Sequence, residues 1–242
     1  MELSLIVPVY NEAENFPRLV AEVERHVPPP YTMLVIHDFD EDTTLPVARS
    51  LAEGRGWIRL VRNEGGRGAA SAIKTGFRAA ASGPALVVMA DLSDDLSLVP
   101  RMLSLYAEGN RIVCASRYAR GGRQIGGPLL KRTLSRLAGR SLRLLAGFPT
   151  NDATNSFRLY DAALVNELGI ESTGGFELAL EITAKAFRRR VRIAEIPCTW
   201  RDRSAGRSRF RLLRWLPSYL RWYGYAMAAS RFSPSSKRRS SV

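Results

Sequence analysis

The side chains of this chain that are best suited to chemistry are aspartates that follow two short apolar runs. Asp38, Asp40 and Asp42 follow residues 33–36, and Asp91, Asp94 and Asp95 follow residues 85–89. Carboxylates that converge on a crevice hold Mg²⁺ or Mn²⁺, and such an ion neutralises a bound diphosphate. We therefore predict a ligand role for Asp38 and Asp91, which follow these two runs most closely. Asp42 fits a helix cap as well as a ligand.

A glycine-rich basic loop, Gly65-Gly66-Arg67-Gly68, follows a third apolar run at residues 58–61. The loop leads into a helical pattern, and Arg67 near that helix start predicts an anion contact. The same glycines also fit a plain connection between a strand and a helix. No GxGxxG motif follows a strand, which disfavours a dinucleotide-binding oxidoreductase, and the lack of a GxxxxGK[ST] motif excludes a P-loop NTPase.

These residues are positioned by an alternation of strands and helices. Apolar runs at 3–7, 33–36, 58–61, 85–89 and 111–114 predict five strands, which are separated by helical patterns at 13–27, 44–52, 69–81 and 98–107. Such alternation predicts βαβ units and an α/β fold, a mostly parallel sheet flanked by helices. Because the carboxyl ends of parallel strands share one edge, we expect the acidic clusters and the glycine loop to converge there.

Charge divides the 242-residue chain into two unequal parts. Residues 1–110 carry 10 basic and 15 acidic side chains, whereas residues 111–242 carry 26 and 8, so the net charges are −5 and +18. A basic part of this size fits nucleic acid, an anionic bilayer or a phosphorylated substrate, besides a merely solubilising surface. The two cysteines, Cys114 and Cys198, have no metal-site spacing and suit a reducing compartment.

Two segments of the basic part combine arginines with large apolar residues at helical spacing. Residues 127–147 carry seven leucines and four arginines, and residues 207–232 interleave arginines with aromatic residues. This pattern predicts amphipathic helices that lie in a bilayer interface, and packing on the sheet or against a second copy of the chain is the alternative. Pro217 is expected to kink or divide the second helix. Nucleic acid is disfavoured, because its binding surfaces expose cations with few bulky apolar side chains.

The two ends of the chain carry further expectations. The first apolar run is too short for a signal peptide, and no run of 18 apolar residues occurs, so we expect neither a secretory leader nor an ordinary membrane span. The serine- and arginine-rich residues 233–242 predict a disordered tail.

Five groups of short motifs follow one another along the chain. They are Val7-Pro8-Val9-Tyr10-Asn11-Glu12 with Asn15; Ala90-Asp91-Leu92-Ser93; Ser116-Arg117-Tyr118; Asp152 with Ser156-Phe157-Arg158-Leu159-Tyr160; and Phe176-Glu177 with Arg203 through Arg209. Their order and spacing resemble those of the family 2 glycosyltransferases with the GT-A (Rossmann-like) fold. Within that family the chain is similar to the polyprenyl-phosphate hexosyltransferases, which are related to dolichol-phosphate mannosyltransferase.

The resemblance implies an inverting, Mg²⁺- or Mn²⁺-dependent transfer of a hexose from a GDP- or UDP-linked sugar to a dolichyl or undecaprenyl phosphate. It also implies a peripheral enzyme on the cytoplasmic face of the cell membrane. The implied nucleotide-sugar residues are Pro8, Tyr10, Glu12 and Asp38, beside which the residue pattern adds Asp40 and Arg67. The implied catalytic residues are Asp91, Arg117 and Arg203. The lipid phosphate is assigned to Arg117, Arg132, Ser135, Arg203 and Arg209.

The resemblance also suggests how the chain is divided. Residues 1–206 form the predicted GT-A domain, which includes the basic amphipathic segment 127–147. Residues 207–232 form membrane-surface helices in this reading, and the tail follows them.

Two positions depart from the family pattern. His37 precedes Asp38 where the family has a further acidic residue, and Met89 stands where the metal motif begins with Asp. The resemblance assigns the metal to Asp91. Loss of a carboxylate weakens a site for a hard cation, since a thioether is a poor ligand for Mg²⁺. Asp94, Asp95 and Asp40 are the candidates to complete the metal site. The first alternative hypothesis is therefore a homologue with impaired catalysis that binds a nucleotide sugar or a lipid phosphate. A basic nucleic-acid-binding protein is the second.

Overall fold

A computed structural model describes residues 1–202 and 212–230, with only the helical backbone given for residues 212–215, 229 and 230. The strands are β1 Leu3–Pro8, β2 Tyr31–His37, β3 Ile58–Arg62, β4 Pro84–Val87, β5 Ile112–Ser116, β6 Arg123–Ile125, β7 Arg158–Asp161, β8 Ile193–Pro197 and β9 Thr199–Arg201. The helices are α1 Phe16–His26, α2 Thr44–Ala52, α3 Ala69–Ala80, α4 Val99–Ala107, α5 Leu129–Ala146, α6 Ala162–Leu168, α7 Leu178–Arg188 and α8 Leu212–Ser230.

Seven strands form the central sheet in the order β3-β2-β1-β4-β7-β5-β8. Every neighbouring pair is parallel except the two pairs made by β7, which is antiparallel to β4 and β5. The predicted mostly parallel sheet is thus confirmed, and β1 to β5 and β8 end at one edge. The four helices predicted in the first half are also confirmed, with boundaries within three residues of those expected.

Apolar layers cover both faces of the sheet. On one face, Phe16 and Leu19 of α1 and Met102 of α4 belong to the same buried cluster as Leu5. On the other face, Phe77 of α3 packs in a cluster with strand residues. Gly76 of α3 crosses β1 closely, because a Cβ at this position would lie 2.3 Å from the Ile6 side chain. A glycine is therefore required where α3 meets the sheet.

A third buried cluster joins the helices α5, α7 and α8. Trp222 and Ala226 of α8 are buried in a cluster with Leu142 of α5 and Leu180 of α7. The inner face of the predicted membrane-surface segment therefore packs within the protein. Pro217 does not divide α8, which continues through it, because one backbone hydrogen bond lost near the helix start is offset by this packing.

Helix α5 leaves most of its leucines in solvent. It buries Gly139, Leu142 and Ala146. Six leucines are between 44% and 81% exposed, namely Leu129, Leu130, Leu134, Leu137, Leu144 and Leu145. Among the described residues, no helix combines the length and the apolar character that crossing a bilayer requires. Arg203, Arg209 and the tail 233–242 lie outside the described residues.

Candidate active site

The candidate site lies at the edge of the sheet where the parallel strands end. Asp38, Asn63, Asp91 and Arg117 follow β2, β3, β4 and β5 respectively, and Asp152 precedes β7, which starts at the same edge. The fold therefore brings the predicted donor-side carboxylates and a predicted acceptor-side cation to one edge, as the alternation of elements indicates.

Asp42 binds the first residue of α2 and fixes the loop that follows β1. Its Oδ1 accepts hydrogen bonds from the backbone N–H groups of Asn11 at 3.0 Å and Thr44 at 2.8 Å. In return, the Asn11 side chain accepts from the Thr43 N–H, and the Glu12 N–H donates to the Thr44 hydroxyl. With 1% of its surface exposed, Asp42 stabilises the loop and the helix start, the alternative to a ligand role considered for it above.

The loops after β1 and β2 bring Tyr10, Phe39 and Arg67 into contact, and these three residues are called the aromatic cluster below. The ring of Tyr10, 44% exposed, meets Phe39 edge-on with centroids 5.4 Å apart. The Arg67 guanidinium lies 5.6 Å from the same Phe39 centroid. Two predicted nucleotide residues, Tyr10 and Arg67, are thus gathered on a ring for which no role was predicted. Pro8 is buried at the end of β1, and the Glu12 carboxylate accepts a hydrogen bond from Asn15.

Asp38 and Asp40 point to different partners. Both Asp38 oxygens bind the glycine loop, since Oδ1 accepts from Asn63 Nδ2 at 2.6 Å and Oδ2 accepts from the Gly68 N–H at 2.8 Å. Asp40 instead forms an exposed ion pair with Arg62, whose hydrogen bond lowers the pKa of the Asp40 carboxyl. An ion pair on the surface contributes little stability, so Asp40 mainly adds charge at the rim.

The three aspartates after β4 have three different settings. Asp91 is 7% exposed, and its Oδ1 accepts from the Ser93 N–H at 3.2 Å. Asp94 accepts from the Met89 N–H at 3.0 Å and lines a cleft of about 320 Å³ beside α1. Asp95 accepts from the Ser97 N–H and caps a short 3₁₀ turn. All three aspartates thus accept a hydrogen bond from a backbone N–H group, and the Ala90-Asp91-Leu92-Ser93 motif makes Asp91 the first candidate for the metal.

The donor set at Asp91 fits a metal that the substrate helps to hold. Within residues 1–202 and 212–230, no three His, Cys, Asp or Glu side chains are grouped to form a complete protein cage. Mg²⁺ is commonly bound by one or two carboxylates and completed by substrate phosphates and water. A single carboxylate at the sheet edge meets that minimum. Met89 adds no oxygen ligand, so affinity for the ion in the absence of a diphosphate is expected to be low.

Asp94 makes stability depend on pH. Burial raises the pKa of its carboxyl to about 7, and the nearby Asp91 charge adds to the effect. Between about pH 4 and pH 7 the folded state holds a proton that the unfolded chain releases, so the contribution of Asp94 to stability falls as pH rises. We expect Asp94→Asn to raise the free energy of unfolding by about 1–3 kcal/mol at pH 8 and to change it little at pH 4. Urea unfolding at both pH values measures this, and an equal effect at both would contradict it.

Arg117 is fixed by the buried carboxylate of Asp152. Its Nε and Nη2 donate to the two Asp152 oxygens at 2.7 and 2.8 Å, and its backbone N–H donates to the same carboxylate at 3.0 Å. The Arg117 side chain is 11% exposed and that of Asp152 is fully buried. Burial alone would lower the pKa of Arg117, but the Asp152 charge outweighs burial and raises it. The guanidinium therefore stays charged and keeps one direction.

The surroundings of Arg117 bring together most of the predicted phosphate-binding residues. Its Nη2 donates to Thr154 Oγ1 at 2.9 Å and approaches Ser135 Oγ of α5 at 3.5 Å. Its guanidinium carbon lies 5.1 Å from the Tyr118 ring and 5.9 Å from the Trp200 ring. Arg132 stands one turn before Ser135 on α5, and its carbonyl accepts from the Tyr118 hydroxyl. Ser135 therefore lies beside Arg117, and the backbone of Arg132 contacts Tyr118, while Arg203 and Arg209 lie outside the described residues.

Sequence reasoning gave no role to several residues that shape the site. Asp152 holds Arg117, and Trp200 of β9 packs over the same guanidinium. Arg158, fully buried on β7, donates to the carbonyls of Asp152 and Ala179 and so ties the Asp152 loop to α7. A signal existed for Asp152 and Arg158, since both belong to the fourth motif. No pattern in the sequence marks Trp200.

Solved structures of low sequence identity share this fold. Glucosyl-3-phosphoglycerate synthase from Mycobacterium tuberculosis, in complex with Mn²⁺, uridine diphosphate and glucosyl-3-phosphoglycerate, superposes with a TM-score of 0.66 at 17% identity, over 97% of this chain and 81% of that chain. A mannosyltransferase from Pyrobaculum calidifontis in complex with GDP-Man and Mn²⁺ gives 0.61 at 15% identity, over 95% and 72%. The fold is that of the GT-A glycosyltransferases.

The chain belongs to glycosyl transferase family 2, whose model matches residues 4–169. A dolichol-phosphate mannosyltransferase of Pyrococcus furiosus is 27% identical over 96% of this chain and 68% of its own length. A polyprenol monophosphomannose synthase of Mycolicibacterium smegmatis is 28% identical over 85% and 79%. An undecaprenyl-phosphate mannosyltransferase of Micrococcus luteus is 26% identical over 86% and 87%. The predicted family is confirmed, and the chain is a glycosyltransferase.

Proposed function

We propose that the enzyme transfers a hexose from a nucleotide-diphospho-sugar to a polyprenyl phosphate, with inversion at the anomeric carbon. The observation that carries this proposal is the placement of Asp91 and the Arg117–Asp152 pair at one edge of the sheet. The reaction brings two anions together, so it needs a cation on each. A carboxylate that can hold a metal serves the donor, and a fixed guanidinium serves the acceptor.

On the donor side, the nucleotide of a GDP- or UDP-hexose is bound by the aromatic cluster of Tyr10, Phe39 and Arg67 and by the neighbouring Asp38. Asp91 would hold Mg²⁺ or Mn²⁺, and a bound ion would supply positive charge to the diphosphate of the donor. The bound structures of the Mycobacterium tuberculosis and Pyrobaculum calidifontis enzymes, which contain Mn²⁺ with a nucleotide, support this arrangement.

On the acceptor side, the phosphate monoester is itself the nucleophile. Its second pKa is about 6, so it is already anionic at pH 7 and needs no strong base. Asp152 engages Nε and Nη2 of Arg117, which leaves Nη1 as the edge offered to the phosphate, together with Ser135 and Arg132. A phosphate oxygen attacks the anomeric carbon, and the bond from that carbon to the nucleoside diphosphate breaks. The leaving group departs with the electron pair, and the carbon inverts.

The exposed leucines of α5 bring the enzyme to a lipid acceptor. They run along a helix whose exposed arginines include Arg136, Arg140 and Arg143. Burying one leucine contributes about 1.5–3 kcal/mol, and each arginine near an anionic surface about 1 kcal/mol. Leu216 and Leu220 of α8 add to the exposed apolar surface. We place the enzyme on the cytoplasmic face of the cell membrane as a peripheral protein.

The double variant Leu137→Asn with Leu144→Asn tests the membrane surface. Both side chains are exposed, at 59% and 81%, so the melting temperature should stay unchanged. Affinity for vesicles of phosphatidylglycerol and phosphatidylcholine is expected to fall by roughly tenfold to a hundredfold, because two leucines no longer enter the bilayer. Flotation measures this. Vesicle binding equal to that of the wild type would contradict the assignment, and a change from dimer to monomer would make the leucine face a contact between subunits.

The reaction is tested with undecaprenyl phosphate in detergent and a panel of labelled GDP- and UDP-hexoses, each with Mg²⁺, Mn²⁺ or EDTA. A lipid-extractable product that EDTA abolishes is expected, and it names the base and the sugar. Donor binding without transfer under any condition would favour the homologue with impaired catalysis. Met89 and the absence of a three-ligand group among the described residues are the observations behind that second candidate.

A further inference from the structure

Asn63, to which the reaction scheme gives no role, lies at the centre of a hydrogen-bond network. The residue follows β3 and is 5% exposed. Its Nδ2 donates to Asp38 Oδ1 and to the Gly66 carbonyl, both at 2.6 Å. Its Oδ1 accepts from the Thr75 hydroxyl at 2.8 Å, and also from the Ser71 hydroxyl and the Gly65 N–H. One amide group thus joins the end of β2, the glycine loop and the first turns of α3.

The same network determines the direction of the glycine loop around Arg67. Gly66 and Gly68 have φ values of 100° and 114°, which residues other than glycine rarely adopt. The Gly68 N–H is bound by Asp38 Oδ2, and the Gly66 carbonyl is bound by Asn63. Arg67 lies between these two anchored glycines, so its backbone is held on both sides where its guanidinium meets Phe39.

We propose that Asn63 is a positioning residue for the nucleotide of the donor. It aims the Asp38 carboxylate and presents Arg67, although it need not touch the donor itself. The inference rests on the proposed function, because Asp38 and Arg67 are assigned to the nucleotide there. Asn63 shows no link to Asp91 or Arg117 in its hydrogen bonds, so its loss should weaken donor binding more than the chemical step.

Asn63→Asp is the sharpest variant, since it keeps the shape and exchanges the two donated hydrogens for an acceptor. A second carboxylate then faces Asp38 and the Gly66 carbonyl, and both contacts become repulsive. The dissociation constants of GDP and UDP in the presence of Mn²⁺ are expected to rise by about tenfold to a hundredfold. The KM for the donor should rise in parallel, and kcat at saturating donor should change by less than about threefold.

Asn166→Asp is the matched control at the opposite end of α3. Asn166 also donates two hydrogen bonds from its amide, to the carbonyls of Phe77 and Ala81 at 3.0 and 3.2 Å. Asn166 is exposed whereas Asn63 is buried, so a smaller loss of melting temperature is expected in Asn166→Asp, and only Asn63→Asp should weaken nucleotide binding. Should Asn63→Asp fail to fold, Thr75→Val removes one of the bonds to Asn63 and should raise the dissociation constants by about threefold.

Calorimetry with GDP and UDP separates the possible failures. Equal affinity in the wild type and in both Asn63→Asp and Thr75→Val would overturn the positioning role and leave the proposed function standing. Weakened binding in Asn166→Asp to the same degree would also overturn it, since general destabilisation would then explain the loss. A wild type that binds neither nucleotide would overturn the proposed function and the positioning role together.

Discussion

Replacement of Asp91 by asparagine is expected to lower metal-dependent transfer by on the order of 10³-fold. The substitution keeps the size of the side chain and its bond to the Ser93 N–H but removes the negative charge that the metal requires. Asp94 and Asp95, the other carboxylates of the same loop, are held by the Met89 and Ser97 N–H groups and are not expected to take its place. The half-saturating Mn²⁺ concentration should rise together with the loss of rate.

Asp95→Asn is the control for this variant. Asp95 lies four residues further along and caps a short 3₁₀ turn, so its replacement should change transfer by less than about fivefold. Initial rates over a Mn²⁺ titration compare the two variants. An Asp91→Asn enzyme with full activity, or an equal loss in both variants, would show that Asp91 does not hold the metal.

Asp152→Asn is expected to lower the free energy of unfolding by about 3–5 kcal/mol, because it leaves the Arg117 guanidinium buried without a counter-charge. Transfer should fall as well, since Arg117 loses its fixed direction. Glu108→Gln, which breaks an exposed ion pair with Arg101, should cost less than about 1 kcal/mol. Urea unfolding at pH 7 compares the two. Similar stability losses in both variants would mean that the Arg117–Asp152 pair adds no more than a surface contact.

The pH dependence of the same pair follows from the pKa of Asp152. Burial raises the pKa of this carboxyl, but the adjacent Arg117 charge and its hydrogen bonds outweigh burial, and the net effect lowers the pKa. A lowered pKa stabilises the folded state above the unfolded value of about 3.9, and that stability is lost as pH falls through the folded value. The difference between wild type and Asp152→Asn should therefore be full at pH 7 and shrink below about pH 4.

The first five strands and four helices are predictable because each is a local pattern. A buried run such as residues 33–36 and an amphipathic stretch such as 69–81 show their periodicity within a dozen residues. Strand β7 could not be predicted in this way, because it has only four residues, ends in Asp161 and pairs with strands that are distant in sequence. Its insertion between β4 and β5 makes the sheet mixed, and only the assembled fold reveals that order.

The identities of the site residues could be read from sequence, but the directions of their side chains could not. Asp38, Asp91 and Asp95 each follow an apolar run and look alike as candidate ligands. The hydrogen bonds that these aspartates accept then distinguish their roles, since Asp95 caps a turn and Asp38 binds the glycine loop. These bonds depend on backbone dihedral angles that composition does not encode. For the same reason the sequence does not distinguish Asn63 from an ordinary loop residue, and only the folded structure shows its five hydrogen-bond partners.

A competition between two phosphorylated acceptors tests most directly whether a lipid phosphate is the acceptor of this enzyme. The enzyme is given one active labelled donor, Mn²⁺, undecaprenyl phosphate and an equal concentration of phosphoglyceric acid, the compound present in the Mycobacterium tuberculosis complex. Label recovered in the organic phase, and lost in Asp91→Asn, is the predicted result. Label that stays in the aqueous phase as a glycosylated phosphoglycerate, with none in the lipid, would contradict it.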